Sequence, residues 1–237
     1  MKGIILSGGT GTRLHPLTKV TSKQLLPVYN KPMILYPLET LLKAGVRDIL
    51  IIIAPDHAGD YKKLLGSGEE FGCRLTYKIQ EKPEGLAQAF IIGQDFIGND
   101  SVCMILGDNI FEDDFSSNIK DFISGGCIFV KKVSDPERFG VVQFDENRRA
   151  IKIVEKPKEH ISDYAITGLY IFDNRVVEAA RSVKPSARGE LEITDLHLWY
   201  LQKGELAIEN VYGEWIDAGT FESLYRAGEL MRHKTIS

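Results

Sequence analysis

Gly8, Gly9 and Gly11, with Thr10, Thr12 and Arg13, follow directly on the apolar run at 3–7. Glycines let backbone N–H groups close on an anion with no Cβ in the way. The guanidinium of Arg13 can grip a phosphate bidentately. Neither common phosphate loop fits. A dinucleotide fingerprint begun at Gly9 meets Leu14 where its last glycine belongs, and a P-loop begun at Gly3 meets Gly9 where lysine belongs. A phosphate cradle of another kind remains, against the plainer reading of a turn that needs positive φ.

Lys23 and Gln24, just before Leu25-Leu26-Pro27, lie in the same acid-free stretch. Residues 1–38 hold Lys2, Arg13, Lys19, Lys23 and Lys31, and all 33 acidic residues come later. A basic start on a chain of net charge −4 suits one local anion site, and argues against general nucleic-acid binding. Scattered surface lysines would read the same way.

Two carboxylates stand out next. The apolar run at 102–106 ends in Gly107-Asp108-Asn109, and Trp215-Ile216 leads into Asp217-Ala218-Gly219. The carboxyl ends of buried parallel strands are where open α/β sheets bind ligands. One or two carboxylates plus substrate phosphates are a usual Mg²⁺ site. Either Asp could equally cap a helix, and sequence alone does not bring the two together. Glu155-Lys156-Pro157 and Arg188-Gly189-Glu190 set cations at element boundaries, for a second anion or for surface ion pairs.

These residues need a scaffold. The chain has 237 residues, 43% hydrophobic and 26% charged, an ordinary globular composition. Cys73, Cys103 and Cys127 form no CxxC pair, so no disulfide framework or zinc site is implied. No apolar run is long enough for a signal peptide or a membrane span, so a cytoplasmic protein is expected. Strands are predicted at 3–7, 48–54, 74–79 and 102–106, alternating with helices at 32–44, 56–65 and 86–96. Beyond about residue 126 the strands crowd together, at 127–132, 140–144, 150–154 and 164–172. Helices follow at 173–182, 192–203 and 220–233. The pattern predicts an α/β fold: a Rossmann-like, doubly wound, mixed but mostly parallel sheet with helices on both faces. A smaller α+β part completes it. We read 1–237 as one domain, a doubly wound half at about 1–126 joined to a mixed α+β half at about 127–237.

The runs GGTGTRLHPLT at 8–18, KQLLP at 23–27, GLAQAF at 85–90 and GDNIF at 107–111 continue in order with DPERFGVV at 135–142, EKP at 155–157, SARGELEITD at 186–195 and WIDAGT at 215–220. Together they resemble the sugar-nucleotide pyrophosphorylases, and within that nucleotidyltransferase family the thymidylyltransferase branch acting on glucose-1-phosphate. The resemblance implies the nucleotide-diphospho-sugar transferase fold, and makes 1–126 the nucleotide-binding half and 127–237 the sugar-phosphate-binding half. It also implies Mg²⁺-dependent condensation of dTTP with glucose-1-phosphate to dTDP-glucose and pyrophosphate, by in-line attack on the α-phosphate. By similarity Gly8, Gly9, Gly11, Thr12 and Arg13 hold the triphosphate, and Lys23 neutralises the reacting phosphates. Gln24, Gln80 and Gly85 face the nucleoside, and Asp108 and Asp217 hold Mg²⁺. Asn109, Gly140, Glu155, Ile166 and Tyr170 contact the sugar, and Lys156 and Arg188 grip its phosphate. The catalytic set implied is Arg13, Lys23, Asp108, Lys156 and Asp217.

A uridylyltransferase or another sugar-1-phosphate nucleotidyltransferase is the alternative. An inactive nucleotide-sugar sensor is disfavoured because all five of those residues are present. The family also implies a homo-oligomer, dimer or tetramer, with no nucleic-acid or membrane partner. Ala218 stands where many members have Thr and Phe139 where many have Tyr, and neither change alters a charge. The chain stops soon after its last expected helix, as a short form without the family's helical extension would.

Overall fold

The computed structural model describes residues 1–236. β1 (Lys2–Ser7) is followed by two short strands, β2 (Pro27–Val28) and β3 (Lys31–Pro32), and by α1 (Leu35–Lys43). Next come β4 (Asp48–Ile53), α2 (Ala58–Leu65), β5 (Arg74–Ile79), α3 (Gln88–Ile92), α4 (Gln94–Ile97) and β6 (Val102–Leu106). β7 (Asn109–Phe111), α5 (Ser116–Asp121), β8 (Gly126–Lys132), β9 (Gly140–Phe144), β10 (Ala150–Glu155) and β11 (Tyr164–Phe172) follow. The chain closes with α6 (Val176–Ser182), α7 (Ile193–Gln202), β12 (Leu206–Asn210), β13 (Trp215–Asp217) and α8 (Phe221–Ile236).

β1 lies between β6 and β4 and runs parallel to both, and β5 joins β4 in parallel. On the other side β11 runs antiparallel to β6, and β8 and β12 continue the sheet beyond it. In the order β5-β4-β1-β6-β11-β8-β12, β11 alone is reversed. β11 serves three neighbours. Leu169–Phe172 pair with β6, Ala165 pairs with Val141 of the β9–β10 hairpin, and its opposite edge pairs with β8.

The central strands are β-branched and fully buried, as strands covered on both faces must be. Alternation sorts their side chains. Ile4, Leu6, Leu50 and Ile52 meet α3, α6 and α7, whereas Ile5, Ile49, Ile51 and Ile53 meet α1 and α2. The helices on both faces and the mostly parallel sheet agree with the sequence expectation.

Three local differences have physical causes. The helix expected at 32–44 starts at Leu35 because Lys31-Pro32 pairs back on Pro27-Val28. Pro37 then falls in the first turn, where its missing N–H has no intrahelical partner to lose. The helix expected at 86–96 divides at Gly93, where a Cβ would stand 3.1 Å from Ile4 Cδ1, so glycine lets this face close on β1. The β7–β13 ladder was not expected at all. It sets Asp217 opposite Asn109 and Ile216 opposite Ile110.

Candidate active site

The carboxyl ends of β1 and β6, the β7–β13 ladder, the end of β10 and the middle of β11 converge on one cavity of about 550 Å³. Gly8, Gly9, Arg13, Lys23, Gln24, Gln80, Gly85, Asp108, Asn109, Gly140, Glu155, Lys156, Ile166, Tyr170, Arg188 and Asp217 all line it. Of the residues to which the resemblance assigns a role, Gly11 and Thr12 alone do not. Gly11 adopts the left-handed conformation at φ 61°, and its carbonyl accepts the Thr18 hydroxyl at 2.7 Å. These two residues shape the loop.

At the end of β1, Gly8 lies against the Gln80 side chain, and a Cβ there would collide with Oε1. Gln80 Nε2 donates to Gln88 Oε1 at 2.7 Å, and Gln88 in turn donates to Glu84 at 2.7 Å. Gly85, at φ 112°, abuts the Leu191 backbone, which joins this loop through Leu191 N–H to Glu84 C=O at 2.7 Å. Gln24 borders the cavity, but its amide is engaged. Oε1 accepts from Ser22 at 2.8 Å, and Nε2 reaches the Gly8 carbonyl at 3.4 Å.

Asp108 and Asp217, far apart in sequence, stand side by side. Asp108 is buried and Asp217 half-buried, and Lys23 Nζ donates to Asp108 Oδ2. Asn109 Nδ2 donates to Asp108 Oδ1 at 3.1 Å. Burial raises the Asp108 carboxyl, and the Lys23 ammonium outweighs it, leaving Asp108 below the usual carboxylate range. Asp217 is pushed up to about 7, first by burial and then by the charge of Asp108, with Lys23 and Arg13 opposing. The protein's own cations thus compensate one of the two carboxylates and leave the other strained.

Near the end of β10, Arg188 is held by three carboxylates. It forks onto Glu192, with Nε–Oε1 at 3.1 Å and Nη2–Oε2 at 2.8 Å. It also reaches Glu190 at 3.2 Å and Glu155 at 3.4 Å. Its guanidinium is therefore already engaged. Burial pushes the Glu155 carboxyl up, with Lys156 opposing. Lys156 takes φ 41°, unusual for a side-chain-bearing residue, and its N–H donates to the Phe139 carbonyl at 3.0 Å. That bond fixes the end of β10 against the loop before β9.

Sequence reasoning missed Thr194, His197, Trp215 and Arg138, all at the cavity wall. Trp215, Thr194 and Arg138 sat inside the recognised runs, where a closer reading could have found them. His197 sits two residues beyond the SARGELEITD run, and nothing in its spacing marks it.

The sequence profile described as Nucleotidyl transferase matches residues 2–234. The chain belongs to that family. This nucleotidyl transferase is 54% identical to the glucose-1-phosphate thymidylyltransferase of Neisseria meningitidis serogroup A, over 98% of this chain and 83% of that one. It is 52% identical to the protein of the same name from Mycolicibacterium smegmatis, over 98% and 82%. A Bacillus anthracis crystal structure, assigned as a glucose-1-phosphate thymidylyltransferase and solved with sucrose, superposes with a TM-score of 0.93 at 50% identity, over 98% and 95% of the two chains. A UDP-glucose pyrophosphorylase complexed with UDP-glucose superposes with a TM-score of 0.84 at 24% identity, covering 98% of each chain, and shows the shared fold alone. The nucleotidyl transferase here thus has the nucleotide-diphospho-sugar transferase fold and is an enzyme of that class.

Proposed function

We propose that this nucleotidyltransferase condenses dTTP with glucose-1-phosphate to give dTDP-glucose and pyrophosphate. The observation that carries the reading is the meeting of two cationic groups in one cavity: Arg13 and Lys23 beside Asp108 and Asp217, and Lys156 and Arg188 beside Glu155. The names of the relatives at 54% and 52% identity support the substrate pair.

Gly8, Gly9, Gly11 and Thr12 shape the triphosphate cradle, and Arg13 holds the two phosphates that leave. Gln80 and Gly85 border the base, with Gln24 bracing the loop from behind. Lys23 exchanges Asp108 for the reacting phosphates, and Lys156 and Arg188 hold the phosphate of the sugar. An oxygen of that phosphate attacks the α-phosphorus in line, and the bond to the bridging oxygen breaks with departure of pyrophosphate. The attacking oxygen is already ionised, so positioning and charge neutralisation suffice. Gly140, Glu155, Ile166 and Tyr170 surround the hexose, and Asn109 contributes by holding Asp108.

Asp108 and Asp217 fit Mg²⁺. They are hard oxygen donors set side by side, and desolvation, then the charge of Asp108, pushes the Asp217 carboxyl up to about 7. Among the described residues no group of three or more His, Cys, Asp or Glu could hold a metal, so substrate phosphates and water would complete the coordination. When bound, the ion would supply positive charge to neutralise the reacting phosphates.

In this reading the enzyme is a cytoplasmic homo-oligomer, dimer or tetramer. Among the described residues, no helix is long and apolar enough to cross a membrane. The test is pyrophosphate release from dTTP, UTP, CTP and GTP with glucose-1-phosphate. Release fastest with dTTP is expected. Release only with UTP would reject the nucleotide, and no release at all would reject the reaction.

A further inference from the structure

His197 lies on α7 with no exposed surface, and neither Nδ1 nor Nε2 has a hydrogen-bond partner. A buried donor and acceptor left unmade are costly, and such exceptions in native proteins call for an explanation. The ring stands at the cavity wall, on the same helix face as Ile193 and Thr194, which also line it. Phe172 stacks on it at a centroid distance of 6.0 Å and Tyr170 packs at a tilt of 36° at 5.3 Å, and neither hydrogen-bonds to it.

Burial keeps the imidazole neutral, with a pKa of about 3. One nitrogen therefore carries a proton and the other a lone pair. That combination does not suit a phosphate, which takes a cation. A hydroxyl both donates and accepts and so fits it, and Tyr170, which packs on the ring, is among the residues that surround the hexose in the proposed function.

We infer that His197 is a specificity-determining residue that hydrogen-bonds one hydroxyl of the hexose held in the sugar half of the cavity. The inference rests on the proposed function, because it names a group on the same substrate. A site built to pair a hydroxyl rejects the analogue lacking it far more strongly than an apolar pocket rejects a misfit, since the protein's polar atoms are then stranded.

The experiment compares kcat/KM for glucose-1-phosphate and its 2-, 3-, 4- and 6-deoxy analogues in the wild type, His197→Leu and His197→Gln. The wild type should discriminate tenfold or more against one analogue. His197→Leu should abolish that single ratio, leave the other three, and keep the KM for dTTP within threefold. His197→Gln, which retains a donor and an acceptor, should restore part of the ratio, and it decides the matter should the leucine variant not fold. Unchanged ratios in the variants, or an equal loss on every sugar, would overturn the inference while the proposed function stands. No turnover of any hexose-1-phosphate by the wild type would overturn both.

Discussion

The indole Nε1–H of Trp215 donates to Asn109 Oδ1 at 2.6 Å. The same oxygen accepts the Gly168 N–H at 3.0 Å, while the other end of the amide holds Asp108. Asn109 thus ties β13 and β11 to a carboxylate at the end of β6. Asn109→Ala strands a buried indole N–H and frees Asp108. Stability should fall by about 1–3 kcal/mol, and turnover tenfold or more. Denaturant titration and steady-state kinetics check both. Wild-type values in each would show that the tie is idle.

Asp108→Asn keeps the shape of the side chain and removes its charge. Turnover should drop by at least about a hundredfold, since the group would hold the ion that neutralises the reacting phosphates. Circular dichroism should show the native fold. Turnover close to wild type would remove Asp108 from the metal site.

At Gly8 the backbone permits alanine, but the new methyl would displace the Gln80 amide. The fold should hold, because Gln80 can swing aside. The KM for the nucleotide should rise severalfold, with little change in the KM for the sugar phosphate. An unchanged nucleotide KM would mean that Gln80 does not face the base.

Gly85 leaves no such freedom. A Cβ would stand 2.5 Å from the Leu191 amide nitrogen, at a backbone φ of 112°. Gly85→Ala should lose roughly 1–3 kcal/mol from the strained conformation alone, and more as the two loops are pushed apart. The drop in melting temperature measures it.

His197 also makes the fold acid-sensitive. Its folded pKa of about 3 lies below the ordinary 6.5, because burial disfavours the charged ring. The unfolded chain takes up a proton below pH 6.5 that the folded chain refuses, so the associated stability is present above that pH and is lost as pH falls towards 3. Between pH 7 and pH 5 the loss amounts to about 2 kcal/mol. His197→Leu should flatten that part of the pH dependence in denaturation experiments. An equally steep fall in the variant would refute the assignment.

Much of this was legible in the residues themselves. Arg74–Ile79, Val102–Leu106 and Tyr164–Phe172 are strands with the ends expected, because apolar runs between polar punctuation have little choice. Gly8, Gly9, Arg13 and both aspartates were singled out from type and position, and all five line the cavity. β12 was missed because its exposed edge, LAIEN, alternates too weakly to stand out, and β7 and β13 because three residues make no period. The state of Arg188 was illegible for another reason. A guanidinium's partners are set by where a loop turns, and Glu155, one of three carboxylates it meets, is 33 residues away in sequence.

β11 has a mechanical bearing on catalysis. Its Ile166, Thr167, Gly168 and Tyr170 line the cavity, while its last four residues are laddered to β6, the strand that leads into Asp108. Neighbouring strands sit about 4.8 Å apart, fixed by their hydrogen bonds. The gap between the β11 wall of the cavity and Asp108 is therefore gauged by a strand ladder. In the proposed reaction that ladder would set the spacing of sugar and carboxylate, and closure would fall to the loops and side chains above it.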